Sequence, residues 1–164
     1  MNEHRVGIGW DVHPLVEGRA LWLGGVRFDG EPRGLSGHSD ADVLCHAVCD
    51  ALLGAIALGD IGEHFPDTDE RYKNFPGTKF LEIVRSRIAE RGYAISNVDC
   101  VVMSDAVRLG AKKKQMEKTI AAHLGIGADR VSVKATTWEG HGSVGRGEVI
   151  AAQAVALVAR REGS

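Results

Sequence analysis

The sequence predicts an α+β fold, a single-domain sandwich of one mixed four-stranded β-sheet with helices packed on one face, over residues 1–164. Three observations carry this. Residues 5–15 and 130–137 alternate apolar and other side chains with the two-residue period of a strand. Residues following Ser39 and Thr78 repeat apolar side chains at helical spacing. Between these runs lie clusters of Gly, Pro and Asp that break regular structure.

In the first strand, Val6, Ile8, Trp10 and Val12 form the apolar face of a half-buried segment, and Asp11 and His13 share the opposite face. "ALWLGGVRF" (20–28) places a Gly-Gly pair between apolar runs, which reads as one or two short strands. From Ser39 the period becomes helical: Val43, Ala47 and Ala51 make one row, with Leu44, Val48, Leu52 and Ala55 nearby. Ser39 followed by Asp42 resembles a capping box that starts this helix. "LGDIGEHFPDTDERYKNFPG" (58–77) reads as one long loop, a length often kept for function. A second helix runs from about Thr78 to Arg91, burying Phe80, Ile83, Val84 and Ile88 and stopping at Gly92. Residues 97–103 read as a strand and 112–124 as a helix ended by Gly125. For 148–159 the pattern fits strand or helix; the glycine-rich loop before it and β-branched residues at both ends favour a strand.

Composition narrows the function. A chain of 164 residues, 44% hydrophobic and 26% charged, buries a core without disulfide or metal staples, so its metal-ligating residue types are free for chemistry. A net charge of -2 gives no basic field for nucleic acid. Cys45, Cys49 and Cys100 are odd in number and form no CxxC pair, which fits a reducing cytoplasm. No leader-like start and no run of about 20 apolar residues is present, so neither export nor a membrane span is expected. The 21 glycines follow no repeat and mark turns and close backbone approaches.

The first long helix puts Asp42 and His46 on one face, with Cys49 flanking. A lone helical histidine is ordinarily no ligand. Asp11 and His13 change its weight, because two imidazoles and one carboxylate suit zinc and leave the fourth position open, as in catalytic sites. The bland alternative, that Asp11-x-His13 is the polar edge of a strand, stands beside it. His38, Ser39 and Asp40 lie at the helix start, where backbone N–H groups attract phosphate; simple capping by Ser39 explains them equally well. "KATTWEGHGSVGRGE" (134–148) is no P-loop, yet Glu139 offers a carboxylate to Mg²⁺ if a phosphate ligand is present. "DTDE" (67–70) does not complete a calcium loop, and Lys112–Lys114 reads as a solvated helix face.

Taken together, "GWDVHPL", "GLSGHSDADVLCHAVCDALLGAIALGDIGEHFPDTD", "NVDCVV", "VSVKATTWEG" and "GRGE" resemble the 2-C-methyl-D-erythritol 2,4-cyclodiphosphate synthases of the non-mevalonate isoprenoid pathway, in the same order and over nearly the whole chain. The resemblance implies cyclisation of 4-diphosphocytidyl-2-C-methyl-D-erythritol 2-phosphate with release of CMP, by a homotrimer whose sites lie between chains. It implies zinc on Asp11, His13 and His46, and Mg²⁺ or Mn²⁺ on Glu139. It places His38, Ser39, Asp60, Ile61, Gly62, Phe65, Pro66, Asp67, Thr68 and Asp69 around the phosphate and erythritol end. Ser104, Asp105, Ala106, Val107, Arg108, Leu109 and Gly110, with Ala135, Thr136 and Thr137, would form the cytidine pocket, His38 and Thr137 positioning the transition state. Arg146 in "GRGE" would face the trimer axis, where an isoprenoid diphosphate is an expected guest.

The chain departs from that pattern twice. Val107-Arg108 stands where the family often has Pro-Lys, exchanging a point charge for a planar fork, and Ser143 stands where an aromatic is common. Two other functions compete with cyclisation: a metal-dependent nucleotide hydrolase, which would yield a linear product, and a zinc storage or structural protein, which would close the metal with a fourth protein ligand.

Overall fold

The structure is a computed structural model and describes residues 3–161. The elements are β1 (His4–Glu17), β2 (Trp22–Leu23), β3 (Val26–Arg27), β4 (Arg33–Leu35), α1 (Val43–Ala55), α2 (Ile61–His64), α3 (Gly77–Glu90), β5 (Tyr93–Met103), α4 (Lys112–Leu124), β6 (Val131–Thr136), α5 (Gly142–Gly145) and β7 (Val149–Arg160). The main sheet has five strands in the order β4-β1-β7-β5-β6, one more than expected, because the three-residue β4 adds to the edge of β1. It is mixed: β5 and β6 run parallel, whereas β1, β7 and β5 pair antiparallel. The 148–159 segment is therefore a strand, β7, at the centre of the sheet. β2 and β3 form a separate hairpin.

Helices α1, α3 and α4 cover one face of this sheet. β1 approaches α1 at backbone distance because Gly7 and Gly9 face it: a Cβ on Gly9 would lie 1.9 Å from the Ala47 carbonyl oxygen, and one on Gly7 2.0 Å from that of Ala51. The small residues Ala47 and Ala51 of α1 complete this seam. α1 is consequently enclosed on nearly every side, with Val43 to Cys49 and Ala51 to Leu53 buried, rather than having a separate polar face.

The expected orientation of β1 is inverted. Val6 is 67% exposed, Ile8 64%, Trp10 49% and Val12 47%, while the glycines face the helices. The period-two pattern is real, but the apolar side chains occupy the face of the sheet turned away from α1, α3 and α4. There they lie opposite Leu157, Val155, Gln153 and Ala151 of β7, forming one apolar strip.

α1 also begins later than the capping pattern suggests. Asp42 is its N-cap and accepts from the Cys45 N–H at 3.1 Å. The same fully buried carboxylate accepts from the N–H groups of Gly24 (2.9 Å) and Gly25 (2.7 Å) in the β2–β3 turn, where both glycines adopt positive φ. This latch commits Asp42 to structure and removes it from partnership with His46. The 58–77 segment is not wholly irregular, because Asp60 caps the short α2 and Asp69 caps a 3₁₀ turn at Glu70–Tyr72. β5 begins four residues before the expected strand, ahead of a register irregularity between Ile95 and Asn97. In α3, Leu81 joins the buried row and Ile83 is only half-buried.

Candidate metal centre and its cavity

Asp11 and His13 point from β1 toward His46 of α1. Asp11 Oδ2 lies 3.0 Å from both His46 Nδ1 and His13 Nε2, and the two imidazole nitrogens are 3.3 Å apart. Three donor atoms from segments more than thirty residues apart thus meet at one point. The rest of the site orients them. His13 Nδ1–H donates to the Ser36 carbonyl at 2.9 Å, which leaves the Nε2 lone pair facing the cluster. His46 Nε2 pairs with Ser39 Oγ at 3.2 Å, turning Nδ1 inward, and the Phe80 ring packs edgewise against the imidazole.

The electrostatics suit a cation. Burial alone would raise the Asp11 carboxyl, but hydrogen bonds from His13 and His46 outweigh it and hold the group well below the usual carboxylate range. Burial likewise works against charge on His13, and the Asp11 carboxylate overcomes it and raises the imidazole. A carboxylate and two nitrogen donors, the imidazoles each fixed by a second contact, make a three-donor group that could hold a divalent metal with room for a further ligand.

That further ligand has space. The cluster opens into a cavity of about 460 Å³ whose walls include His38, Ser39, Ile61, Gly62, Phe65, Pro66 and Asp67, together with Gly37 and Phe80. Ser39 is not a helix cap; its Oγ accepts from the Ala41 N–H and meets His46. His38 pairs through Nε2 with the Asp69 carbonyl at 3.0 Å. Asp60 and Thr68 are not in the cavity wall, and the Asp69 carboxylate is taken up by Arg71. The wall is steadied by packed Phe65, Tyr72, Phe75 and Phe80, with the Phe65 and Phe80 rings 4.6 Å apart.

A second group of expected site residues gathers elsewhere. Ser104 follows β5 and Thr136 ends β6, joined by a 3.0 Å backbone hydrogen bond. The Asp105 carboxylate accepts from the N–H groups of Trp138 (2.7 Å) and Gly140 (3.2 Å), and Thr137 Oγ1 donates to Glu139 at 2.8 Å. Glu139 has a φ of 51°, a left-handed conformation costly for a side-chain-bearing residue, and Asp105 pins the backbone on both sides of it. Val107 and Leu109 bury their side chains in the core, so any ligand contact from them is through backbone. Arg108 and Gly110 are exposed, Ala106 is partly buried, and Ala135 is exposed on β6. Arg146 is held by Glu148 in a two-point ion pair of 2.7 and 3.0 Å. None of this group lines the cavity beside the metal cluster in the same chain.

Two supporting residues lack a sequence signal. Arg19 donates to the carbonyls of Gly37 (3.0 Å) and Ser39 (2.9 Å), fixing the segment beneath the histidines. Asp50, one turn beyond His46, accepts from the Ile61 N–H at 2.7 Å and so ties α2 to α1. Both were hidden because their partners are backbone atoms distant in sequence. Cys45, Cys49 and Cys100 are buried thiols; burial pushes Cys45 and Cys49 well up and Cys100 to about 12, which rules them out as nucleophiles.

Fold and cavity define a small α+β protein built around an open three-donor site for a divalent metal. Solved structures share the fold. A 2-C-methyl-D-erythritol 2,4-cyclodiphosphate synthase of Desulfosudis oleivorans is 53% identical over 158 residues, which cover 96% of this chain and 94% of that protein. The bifunctional IspDF structure from Campylobacter jejuni superposes with a TM-score of 0.93 at 39% identity, over 98% of this chain and 43% of that longer one. A Plasmodium falciparum IspF CDP complex gives a TM-score of 0.85 at 31% identity, over 99% of both chains. The YgbB family model matches residues 4–159. The chain belongs to the YgbB family, that of the 2-C-methyl-D-erythritol 2,4-cyclodiphosphate synthases.

Proposed function

We propose that this chain is a phosphorus–oxygen lyase that cyclises 4-diphosphocytidyl-2-C-methyl-D-erythritol 2-phosphate to the 2,4-cyclodiphosphate and releases CMP. The observation that carries the reading is the convergence of Asp11, His13 and His46 at the base of a cavity large enough for a phosphorylated polyol. The whole of residues 1–164 serves as one cyclodiphosphate synthase domain.

In this reaction a 2-phosphate oxygen forms a bond to the β-phosphorus while the bond from that phosphorus to the α–β bridging oxygen breaks, and the electron pair leaves with CMP. Two like charges at 4 Å repel by about 4 kcal/mol at an effective dielectric of 20, so the site must offset charge before it can align the ends. Asp11, His13 and His46 would hold zinc, and Glu139 would hold Mg²⁺ or Mn²⁺. Bound there, the two cations supply charge neutralisation at the phosphoryl oxygens. The protein contributes position. His38 and Ser39 face the phosphate and erythritol end, with the segment Asp60 to Asp69 enclosing the polyol. Thr137 orients the Glu139 carboxylate and, with His38, positions the transferring phosphoryl group. Ser104 to Gly110 and Ala135 to Thr137 take the cytidine; that a cytidine nucleotide is the ligand is supported by the CDP in the Plasmodium relative. Proximity of the reacting ends supplies the remaining large contribution, and no side-chain nucleophile is needed.

The assembly we propose is a homotrimer with each site between chains. Support comes from the apolar strip on the face of β1 and β7 turned away from α1, α3 and α4, and from the separation, within one chain, of the metal cavity from the Glu139 loop. Arg146 would then sit near the axis, within reach of an isoprenoid diphosphate. A reducing cytoplasm suits the three buried thiols, which form no disulfide. Among the described residues no helix is long and apolar enough to cross a membrane.

Incubation with the proposed substrate and Mg²⁺ tests the activity. Equal amounts of CMP and cyclic diphosphate are expected. CMP with a linear phosphate would make the protein a hydrolase, and no release of CMP would leave metal storage as its role.

A further inference from the structure

Away from the metal cavity, a second hollow of about 380 Å³ lies between α3, the start of β5, the end of α4 and the end of β7. Its floor is apolar, formed by Ile88, Ile95, Leu124 and Ile126. Three guanidinium-bearing residues from three segments line it: Arg85 of α3, Arg130 before β6 and Arg161 after β7. No acidic side chain is in the lining, although acidic residues outnumber basic ones in the chain as a whole, 22 to 20.

Within the lining the opposing charge is the C-terminal end of α4, whose dipole amounts to about −0.5 of an elementary charge; outside it, Arg130 also borders a neighbouring hollow with Asp99 and Asp129. Arg85 attends to that end. It packs over Gly125, the left-handed residue that closes α4, where an added Cβ would lie 3.1 Å from Arg85 Nη1. One guanidinium already exceeds what a helix end requires. Arg130 adds a second full charge, and neither Arg85 nor Arg130 has an ion-pair partner among the described residues. Other exposed arginines, Arg27, Arg71, Arg146 and Arg160, are paired with acidic side chains. The two guanidiniums of Arg85 and Arg130, brought to one concave site, offer a fork-shaped donor array, the geometry that grips phosphate oxygens at two points.

We propose that this hollow binds a compact polyvalent oxyanion of the diphosphate type, at a site separate from the metal cavity. The proposal does not depend on the function proposed above. The probe is inorganic pyrophosphate, titrated calorimetrically in 0.15 M chloride against wild type, His46→Ala and the double variant Arg85→Gln/Arg130→Gln. Wild type should show two classes of site, one lost in His46→Ala and the other weakened at least tenfold in the double variant. Because Arg85 and Arg130 are exposed and lie outside the metal cavity, the double variant should keep its fold and its turnover, its thermal midpoint falling by about 4 °C at most through the loss of Arg85 at the α4 end. Arg85→Lys/Arg130→Lys should recover part of the affinity, since the charges return without the planar forks. Three results would overturn the proposal: one class of site that vanishes with His46→Ala, second-site binding unchanged in the double variant, or none detectable up to about 1 mM pyrophosphate.

Discussion

Replacing Gly9 by alanine should disable the metal centre without touching a ligand. The new Cβ would stand 1.9 Å from the Ala47 carbonyl oxygen and 2.7 Å from the Ala51 backbone nitrogen, both belonging to α1 rather than to a side chain that can swing away. Ordinary contact begins at 3.4 Å, so β1 and α1 must part by about 1.5 Å at this point. Asp11 lies two residues along β1 and His46 one residue before Ala47, so the separation passes directly into donor spacings of 3.0 Å. Misplacement by about 1 Å costs roughly a hundredfold in a preorganised site, or about 2.7 kcal/mol, and overpacking removes a further 1–3 kcal/mol of stability. Competition with a chromophoric chelator measures metal affinity, and urea unfolding measures stability. Gly30→Ala is the control: Gly30, unlike Gly9, has a positive φ, but a Cβ there meets nothing within 4 Å, so it should lose about 1 kcal/mol at most and keep its metal. Wild-type metal affinity in Gly9→Ala would refute the claim that backbone contact between β1 and α1 sets the donor geometry.

Three other perturbations probe different parts of the molecule. His46→Ala should lose its metal and its turnover by at least a hundredfold while keeping its helical circular dichroism, because α1 is held by packing; full metal occupancy would remove His46 from the ligand set. Ile8→Asp with Trp10→Asp puts two charges on the apolar strip, so sedimentation should show a single-chain species with little turnover, and an unchanged assembly would place the interface elsewhere. Glu117→Gln should cost about 1–2 kcal/mol near neutral pH, since that carboxylate accepts from Lys114 at 2.8 Å and from the Val133 N–H at 3.1 Å. Burial opposes its ionisation, but Lys114 and Val133 hold its pKa below the usual glutamate value. Its stabilisation is therefore complete above that usual value and fades as pH falls through the lowered one, so wild type and variant should converge in acid-unfolding measurements.

Much of this was legible in the residues because short-range rules governed them. Gly125 closes α4 in a left-handed conformation as its position after "AAHL" suggests, and the alternation in 130–137 became β6. The metal triad was legible because a strand period brings Asp11 and His13 to one side. Failures occurred where a distant partner outweighed a local pattern. Ser39 looked like a cap but is spent on His46, whereas Asp42 caps the helix while also anchoring Gly24 and Gly25. Alternation in β1 reports which side chains share a face and is silent about which face meets the helices; Gly7 and Gly9 decide that, since only they permit contact with α1. Arg19 and Asp50 act on backbone atoms of other segments, and no side-chain motif announces such contacts.

In the trimer proposed above, the strip of Val6, Ile8, Trp10 and Val12 would make the lone subunit a different substance from the assembled one. A freshly made chain with that surface bare is greasy, and its survival is a race between finding copies of itself and sticking to something else. Heat resistance should therefore climb with the amount of protein in the tube, a dependence that mass action imposes on any fold completed by its own neighbours.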